Sequence, residues 1–503
     1  MNRQIRRLTI AVLVIYGILF LRLNQVQVLD ADAYNERPDN NRQVEADFNN
    51  PRGTISTIDG TLLARSREVE GQYQFQREYP EGDEFAHITG YYSIMFGSDG
   101  VERTYNDELA GRIAALQLEG FANPFVERSS VGNVVLSLRA DVQEVARQQL
   151  GERKGSVVAL DPRTGAILAM WSFPSYDPNF VSSNDEKIAR ASRELLQANP
   201  DKPLLAKSYR ERFFPGSTFK VVTASAGVDS GKVTVTEPAF PVVRSYTPPL
   251  TSRPISNFDG AACGGTLDVI LRQSCNTSFA QMGAEVLGPD IMVGESEEFG
   301  FNDHPPIDLP QPADSVFPTD YGARVRASTT PGWADVYENT PALAQASIGQ
   351  FDVAATPLQM ALVASSIANG GPTMAPHVLD RVEDSDGGLV SRYEANVWRT
   401  PVSSSTAATV RNAMLGVVTE GTASRAAIPG FEVGAKTGTA QLGTDPPRSH
   451  AWLVAFAGPP GAPAQVAVSV LIEGQEGASE QTGGRVAAPI AKAVMQAALA
   501  PPK

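Results

Sequence analysis

The sequence predicts an α+β protein with two folded regions behind an apolar N-terminal segment. A chain of 503 residues exceeds the usual length of a single domain, so more than one hydrophobic core is expected. The 42% of hydrophobic residues suffices for packed domains. Strand-like runs occur at both ends of the larger region and enclose a helical, loop-rich middle. This pattern indicates a sheet packed with helices, together with an inserted helical part.

Residues 1–29 have the pattern of a membrane anchor. Three arginines among the first seven residues precede an apolar run from Leu8 to Leu21, and basic residues favour the cytoplasmic side. A cleaved signal peptide is the alternative, because the run is short and residues 31–33 (Ala-Asp-Ala) offer a cleavage site. That site lies far beyond the run. We therefore expect an uncleaved single-pass anchor in the plasma membrane, with the rest of the chain outside the cytoplasm.

Residues 30–152 are expected to form a stalk and a small α+β domain. The stretch from Asp30 to Asn50 is polar, as expected of a stalk that leaves a membrane. The compact part starts near Pro51. It has strand-like alternation over 54–62 and helical spacing over 105–118 and 141–150.

Residues 153–503 are expected to form the second, larger domain. Two apolar runs, 155–161 and 166–171, are joined by a Pro-Arg-Thr-Gly turn, which predicts a β-hairpin and hence an antiparallel sheet. Further strand-like runs cover 433–440, 451–457 and 465–472, and a helical pattern covers 486–499.

Charge and histidine content exclude two classes of partner. The formal net charge is -14, and no Lys/Arg-rich stripe occurs beyond the first seven residues, so we expect no nucleic-acid binding. The four histidines are widely separated and lack the spacing of a zinc site. We therefore expect neither a metal nor another cofactor.

The segment Phe213-Phe-Pro-Gly-Ser217-Thr-Phe-Lys220 contains the candidate nucleophile. The Pro-Gly pair breaks the chain, and the following residues are compatible with a helix, which places Lys220 one turn after Ser217. A serine at a helix N-terminus gains a field that favours negative charge, and a nearby amine can take its proton. Alone this spacing is weak, because an N-cap serine with a solvated lysine would look the same.

Two further elements follow in order and strengthen the catalytic interpretation. They are Ser274-Cys-Asn276 and Lys436-Thr-Gly-Thr439, the second within an apolar strand run. A competing Ser182-Ser-Asn184 precedes the nucleophile in a polar loop and is rejected. An ordered triple match is far less probable by chance than any single motif.

Together these elements resemble the Ser-x-x-Lys, Ser-x-Asn and Lys-Thr-Gly set of penicillin-binding proteins and serine β-lactamases. Other segments are similar to class B penicillin-binding proteins: Arg52-Gly-Thr-Ile, Tyr105-Asn-Asp-Glu-Leu, Ser347-Ile-Gly-Gln, Glu420-Gly-Thr-Ala and His450-Ala-Trp. The detail is most similar to the actinobacterial monofunctional group tied to cell division. The resemblance implies a transpeptidase domain with an antiparallel sheet, helices on both faces and a helical subdomain, behind a dimerisation-like pedestal.

The resemblance also implies roles for the first two motifs. Ser217 would be the acylated nucleophile, and Lys220 the base that takes its proton. Ser274 would relay that proton toward the leaving amine, and Asn276 would hold Lys220 and the substrate amide.

The third motif would bind the substrate. Lys436 would lower the pKa of Lys220 and attract a D-Ala-D-Ala carboxylate, with the Thr437 and Thr439 hydroxyls on the same group. Gly438 would let an extended peptide lie along the strand edge. The backbone N–H groups of Ser217 and Thr439 would form the oxyanion hole.

The resemblance implies a peptidoglycan D,D-transpeptidase with a D,D-carboxypeptidase side activity. It would take stem peptides ending in D-Ala-D-Ala, be acylated by β-lactam antibiotics and serve septum synthesis. Division or elongation proteins and a separate glycosyltransferase are the expected protein partners, since no glycosyltransferase region is seen. A β-lactam sensor and a non-catalytic division scaffold are the alternatives, and a β-lactamase is a weaker one.

Three other features of the sequence are expected to have structural roles. Cys263 and Cys275 are an even pair in an oxidising compartment and are expected to form a disulfide, with two buried thiols as the alternative. His450 is expected to be a packed strand residue rather than a base. Arg52 and Glu102 are expected to form an ion pair that holds the two domains together.

Overall fold

The computed structural model describes residues 2–25, 47–116, 131–445, 448–474 and 482–501. Most of the expected stalk, including the possible cleavage site at 31–33, lies outside these residues. Helix α1 (Asn2–Asn24) is the helix among the described residues that is long and apolar enough to cross a membrane. Its 23 residues correspond to about 35 Å, against about 30 Å of hydrocarbon in a typical bilayer.

The strands of the two main sheets are numbered in chain order. They are β1 (Ile55–Thr57), β2 (Leu62–Glu68), β3 (Phe75–Glu78), β4 (Asn133–Leu136), β5 (Gly155–Leu160), β6 (Ile167–Phe173), β7 (Leu379–Glu383), β8 (Leu389–Arg392), β9 (Glu432–Gln441), β10 (Ser449–Gly458) and β11 (Val466–Ile472).

Longer helices surround these sheets. After α1 they are α2 (Ala140–Leu150), α3 (Glu186–Ala198), α4 (Lys220–Asp229), α5 (Leu267–Gln273), α6 (Asn276–Gln281), α7 (Gly288–Glu298), α8 (Thr340–Ala346), α9 (Pro357–Ala368), α10 (Ser404–Thr419) and α11 (Ala488–Leu499).

The first sheet has the strand order β8-β7-β4-β1-β2-β3. Strands β1 and β4 are parallel, with Ile55 opposite Val134, and the other neighbours are antiparallel. Strands β7 and β8 come from residues that the sequence boundaries assigned to the second domain. The sheet therefore joins distant parts of the chain, and the boundaries at 30 and 153 stay a prediction.

Two local expectations in this region were wrong. The strand expected over 54–62 is interrupted by a tight turn, in which Gly60 has a φ of 88° and the Thr57 N–H donates to the Thr61 carbonyl. The helix expected over 105–118 is interrupted: one turn covers Asn106–Leu109, Gly111 follows at a φ of 69°, and residues 114–116 are helical again. Glycine adopts such angles easily, which ends the regular structure at both points. Residues 117 and 118 lie outside the described part of the chain.

The second sheet is antiparallel, with the order β9-β10-β11-β5-β6. It confirms the predicted hairpin and the later strand runs. Helices α2 and α11 pack on one face, while α9, which is buried along its whole length, packs on the other. Strand β9 is an edge strand, and α10 packs against it. This arrangement confirms the α+β architecture with helices on both faces.

The ion pair of Glu102 lies within the first region. Its buried carboxylate accepts hydrogen bonds from Arg52 and Arg77, each at 2.6 Å. The expectation that Arg52 and Glu102 join the two domains is therefore wrong, because their bonded partners belong to the same small sheet region. An ion pair that does join the two regions is Arg210–Asp99, at 2.6 Å.

Candidate active site

The Ser217 turn begins at Gly216, where the backbone conformation and the close packing leave no room for a side chain. Gly216 has a φ of 53°, and a Cβ there would lie 3.1 Å from the backbone of Ala440 on β9. Its N–H donates to the Gly349 carbonyl at 2.9 Å. Residues Gly216–Phe219 form a 3-10 turn that continues into α4. Ser217 is thus held, half-buried, at the start of a helical segment and against the edge strand.

Lys220 is buried one turn after Ser217. Its Nζ donates to the Asn276 side-chain oxygen at 2.7 Å, to the Ser274 carbonyl at 2.8 Å and to the Ser274 hydroxyl at 3.3 Å. Among the described residues, the Ser217 hydroxyl has no hydrogen-bond partner. Catalytic hydrogen bonds often tighten only when substrate binds, so this geometry is compatible with Lys220 as a base.

A sharp turn between two helices presents Ser274 and Asn276 to Lys220. Helix α5 ends at Gln273, and Ser274 adopts left-handed angles, with φ 62° and ψ 43°. Helix α6 then begins at Asn276. Left-handed angles are uncommon for serine, and such residues persist only where their surroundings enforce them.

The disulfide between Cys263 and Cys275 confirms the predicted pairing. The two Cα atoms are 5.5 Å apart, and both residues are buried. Because Cys275 separates Ser274 from Asn276, the bridge ties the turn to the short strand Cys263–Gly265.

Lys436 approaches Ser274 from the other side. It lies on β9, is fully buried, and donates to the Ser274 hydroxyl at 2.7 Å and to the Thr437 carbonyl at 2.9 Å. The Ser274 hydroxyl therefore lies between the two lysine Nζ atoms. Within the described residues, neither lysine forms an ion pair with a carboxylate, so the site concentrates positive charge.

Burial lowers the pKa of both lysines. The pKa of Lys220 falls well below its ordinary value, first because of desolvation and then because of the nearby Lys436 charge. Desolvation lowers the pKa of Lys436 to about 7. Because the charge of Lys436 adds to the lowering of the Lys220 pKa, Lys220 is the better suited of the two to accept a proton.

The rest of the Lys-Thr-Gly-Thr motif shapes the edge of β9. A Cβ on Gly438 would lie 2.9 Å from the Trp452 Cβ and 3.0 Å from the Pro215 carbonyl oxygen. Gly438 therefore allows the nucleophile turn to pack on the strand, a reason that the substrate-based interpretation missed. The Thr437 hydroxyl is 2.7 Å from the Thr422 hydroxyl, and Thr439 is half-buried one position beyond Gly438.

Comparison with known proteins accounts for both folded regions. Residues 155–496 match the penicillin-binding protein transpeptidase domain. Residues 52–135 match the penicillin-binding protein A dimerisation domain. This chain is a penicillin-binding protein of the transpeptidase family.

Full-length relatives support the assignment. The chain is 36% identical to peptidoglycan D,D-transpeptidase PbpA of Mycolicibacterium smegmatis, with 99% of each chain covered. It is 37% identical to PbpA of Mycobacterium tuberculosis H37Rv, again over 99% of both chains. The resemblance to the actinobacterial group is thereby confirmed.

Solved structures show the same fold. The ceftriaxone acyl-enzyme complex of M. tuberculosis penicillin-binding protein A superposes with a TM-score of 0.79 at 35% identity, covering 90% of this chain and 100% of that one. The imipenem acyl-enzyme complex gives a TM-score of 0.77 at 34% identity, covering 90% and 99%.

The sequence-predicted site residues of this penicillin-binding protein come together in space. Ser217, Lys220, Ser274, Asn276 and Lys436 converge where α4, the α5–α6 turn and β9 meet.

Two other side chains that resemble catalytic candidates in the sequence have structural contacts instead. Asn184 of the rejected Ser-x-Asn donates to the Phe75 carbonyl at 3.0 Å in the first sheet region. His450 accepts a hydrogen bond from the Gly474 N–H at 3.1 Å through Nδ1, and burial lowers its pKa to about 4. These contacts support a structural role for both residues in this penicillin-binding protein.

Two supporting residues escaped the sequence interpretation. Thr422 lies in the Glu-Gly-Thr-Ala segment, which entered only as a resemblance, and contacts Thr437. Asn257 follows a short strand and is hydrogen-bonded to Thr277, directly after Asn276. The polar Asn-Phe-Asp-Gly stretch around Asn257 gave only the signal of an ordinary turn.

Proposed function

We propose that this protein is a serine-type peptidoglycan D,D-transpeptidase, anchored by α1 in the plasma membrane with its catalytic region outside the cytoplasm. The observation that carries the proposal is the Ser274 hydroxyl between Lys220 and Lys436, beside the Ser217 turn on an edge strand. This arrangement supplies a nucleophile, a neutral base, a proton relay and a positive charge in one site.

Acylation starts at Ser217. The neutral amine of Lys220 takes the Ser217 proton, and the oxygen attacks the carbonyl carbon of the penultimate D-Ala. The negative charge of the tetrahedral intermediate is stabilised by the Ser217 and Thr439 N–H groups, at about 3 kcal/mol per donor. Ser274 passes its proton to the departing D-Ala amine and takes up the proton held by Lys220, which leaves an ester on Ser217.

Transpeptidation completes the cycle. An amine of a second stem peptide attacks the ester, its proton returns through the same groups, and Ser217 is released. Attack by water instead would give the D,D-carboxypeptidase side reaction. In the first case the donor leaves joined to the acceptor by a new peptide bond, and in the second it leaves as a peptide shortened by one D-Ala.

The edge of β9 suits a peptide that ends in a carboxylate. An extended donor can add to this strand through main-chain hydrogen bonds. Its terminal carboxylate then meets the charge of Lys436 and the hydroxyls of Thr437 and Thr439. A β-lactam presents a comparable carboxylate beside a reactive amide, so the same groups are expected to bind penicillins.

The relatives support this substrate class through their names. PbpA of two mycobacteria is named a peptidoglycan D,D-transpeptidase, and the M. tuberculosis structures are acyl-enzyme complexes with β-lactams. A role in septum synthesis, division or elongation proteins as partners, and glycan strands from a separate glycosyltransferase remain parts of the proposal.

Mass spectrometry of the full-length protein in detergent tests the chemistry. After incubation with penicillin we expect one covalent adduct on Ser217, and none in Ser217→Ala, since loss of a nucleophile can cost about a millionfold in turnover. An adduct on another serine would refute the assignment. Release within seconds would favour a β-lactamase, and a stable adduct without cross-linking of nascent glycan would favour a sensor or scaffold.

Protease accessibility tests the orientation. We expect protease added to intact spheroplasts to degrade the region after α1, because the arginines of α1 favour a cytoplasmic N-terminus. Full protection in intact spheroplasts, with degradation after lysis, would reverse the topology.

A further inference from the structure

Asn257 lies where a short hairpin meets the start of α6. The hairpin pairs Ser245–Tyr246 with Ile255–Ser256, directly before Asn257. The Asn257 side-chain oxygen accepts from the Thr277 N–H at 3.0 Å and from the Thr277 hydroxyl at 3.2 Å. Its amide nitrogen donates to the Val243 and Ala261 carbonyls at 2.9 and 3.0 Å. Asn257 is 7% exposed, so these four bonds satisfy a buried amide.

The same hairpin holds the candidate catalytic amide. The Asn276 nitrogen donates to the Ser256 carbonyl at 3.0 Å, while its oxygen accepts from Lys220 at 2.7 Å. The next residue of each segment is also bonded: Asn257, which follows Ser256, accepts hydrogen bonds from Thr277, which follows Asn276. The position of Asn276 relative to Lys220 therefore depends on the hairpin, and the hairpin is fastened to α6 by Asn257.

We propose that Asn257 is a positioning residue for acylation, which fixes Asn276 against Lys220 by fastening the hairpin to the start of α6. The inference rests on the proposed function. Removing the Asn257 amide leaves the Thr277 N–H and two carbonyls without buried partners. The hairpin then moves, the Ser256 carbonyl no longer holds the Asn276 amide, and Asn276 loses its fixed position. Misplacement of a catalytic group by about 1 Å can cost about a hundredfold in rate.

Asn133 offers a matched structural control. Its oxygen accepts from the Thr54 N–H and hydroxyl, each at 2.9 Å, and its nitrogen donates to the Asp384 carbonyl at 3.0 Å. It thus makes the same kinds of bond as Asn257, but in the first sheet. Both Asn→Ala variants lose comparable hydrogen bonds, so both are expected to lower the Tm of the full-length protein.

The second-order rate constant of acylation by penicillin separates the two variants. We expect Asn257→Ala to slow acylation at least tenfold and Asn133→Ala to stay within twofold of wild type. The acidic limb of the pH–rate profile is expected to move to lower pH in Asn257→Ala only, because the Asn276 oxygen favours the charged form of Lys220. An Asn257→Ala variant with a wild-type rate and pH profile would reduce Asn257 to a purely structural residue.

A double-mutant cycle with Asn276→Ala tests the route of the effect. If Asn257 acts through Asn276, adding Asn257→Ala to Asn276→Ala changes the rate less than twofold. Fully additive losses would overturn the proposal. Should Asn257→Ala not fold, Asn257→Ser replaces it in both comparisons with the same expected signs. Failure of the proposed function is distinguishable, because the wild-type protein would then not be acylated at all.

Discussion

Replacing Lys436 by methionine is expected to stabilise the protein near neutral pH while destroying its acylation activity. Lys436 is fully buried on β9 without an ion-pair partner among the described residues. Methionine has a similar length and no charge to desolvate. Active-site residues often lower the stability of the fold, because function here requires a buried charged group that packing alone would not favour.

The pKa of Lys436 gives the size of the effect. Burial lowers it from 10.5 to about 7, and at about 1.36 kcal/mol per pKa unit this corresponds to about 5 kcal/mol near pH 7. The variant loses the hydrogen bonds to Ser274 and Thr437, each worth about 1 to 1.5 kcal/mol. A net gain of about 2 kcal/mol remains, or roughly 2 to 4 °C in Tm for a region of this size.

The sign of the pH dependence follows from proton binding. Between pH 7 and 10.5 the unfolded chain keeps the proton of Lys436 and the folded protein releases it. The free energy of unfolding of the wild-type protein therefore rises with pH over that window. Below about pH 7 both states hold the proton, and the full cost of burying the Lys436 charge applies. The advantage of Lys436→Met is expected to shrink steadily as the pH approaches 10.

Thermal unfolding of the full-length protein in detergent at pH 7 and pH 9.5 measures this difference. Lys187→Met on the exposed face of α3 is the control, since it removes the same charge without a burial penalty. A lower Tm for Lys436→Met than for wild type at pH 7 would refute the reasoning. So would an equal gain at both pH values, because the gain would then not come from the lysine charge.

Three further experiments test the site, each by penicillin acylation and Tm. Lys220→Arg is expected to lose acylation almost completely, because Arg cannot be deprotonated, whereas Lys436→Arg keeps its charge and loses less; equal losses would contradict the division of roles. Cys263→Ser opens a loop with a sequence separation of 12, which costs about 3 kcal/mol of stability in the chain-entropy model. It is also expected to slow acylation, because Cys275 lies inside the turn. An unchanged acylation rate would leave the disulfide with a stabilising role only. Gly438→Ala is expected to lower Tm and slow acylation, because overpacking costs about 1 to 3 kcal/mol of stability. The control Gly416→Ala has open space at its Cβ and is expected to change neither. Slow acylation at unchanged Tm would assign Gly438 to substrate approach.

The catalytic sheet was predictable because its strands are buried on both faces. Strands β5 and β11 are buried at every position and therefore read as continuous apolar runs. The first sheet was harder, because β7 pairs with β4 across a separation of more than two hundred residues. Strand β8 is mostly exposed and lacks the apolar signal of a strand. Such long-range pairing depends on tertiary packing, which a local pattern does not contain.

The site was predictable where motif spacing encodes a turn. Pro215-Gly216 before Ser217 and the short Ser-x-Asn indicated where side chains would be presented. Asn257 and Thr422 reach the site only in the folded state, through Thr277 and Thr437 respectively. No motif spacing in the sequence indicates these contacts. Gly438 is a third case: the motif predicts its place at the strand edge, but its close approach to Pro215 and Trp452 depends on the folded structure.

The left-handed conformation of Ser274 links these observations. A non-glycine residue there costs about 1 to 2 kcal/mol, yet it lets both the carbonyl and the hydroxyl of Ser274 contact Lys220. An extended or right-handed residue would turn its carbonyl away, so the backbone itself helps to set the environment of the base. The disulfide at Cys275 holds this turn from one side, and Asn257 holds the following helix from the other. Acylation competence is therefore expected to depend on the integrity of the 257–277 segment as much as on the identity of the catalytic side chains.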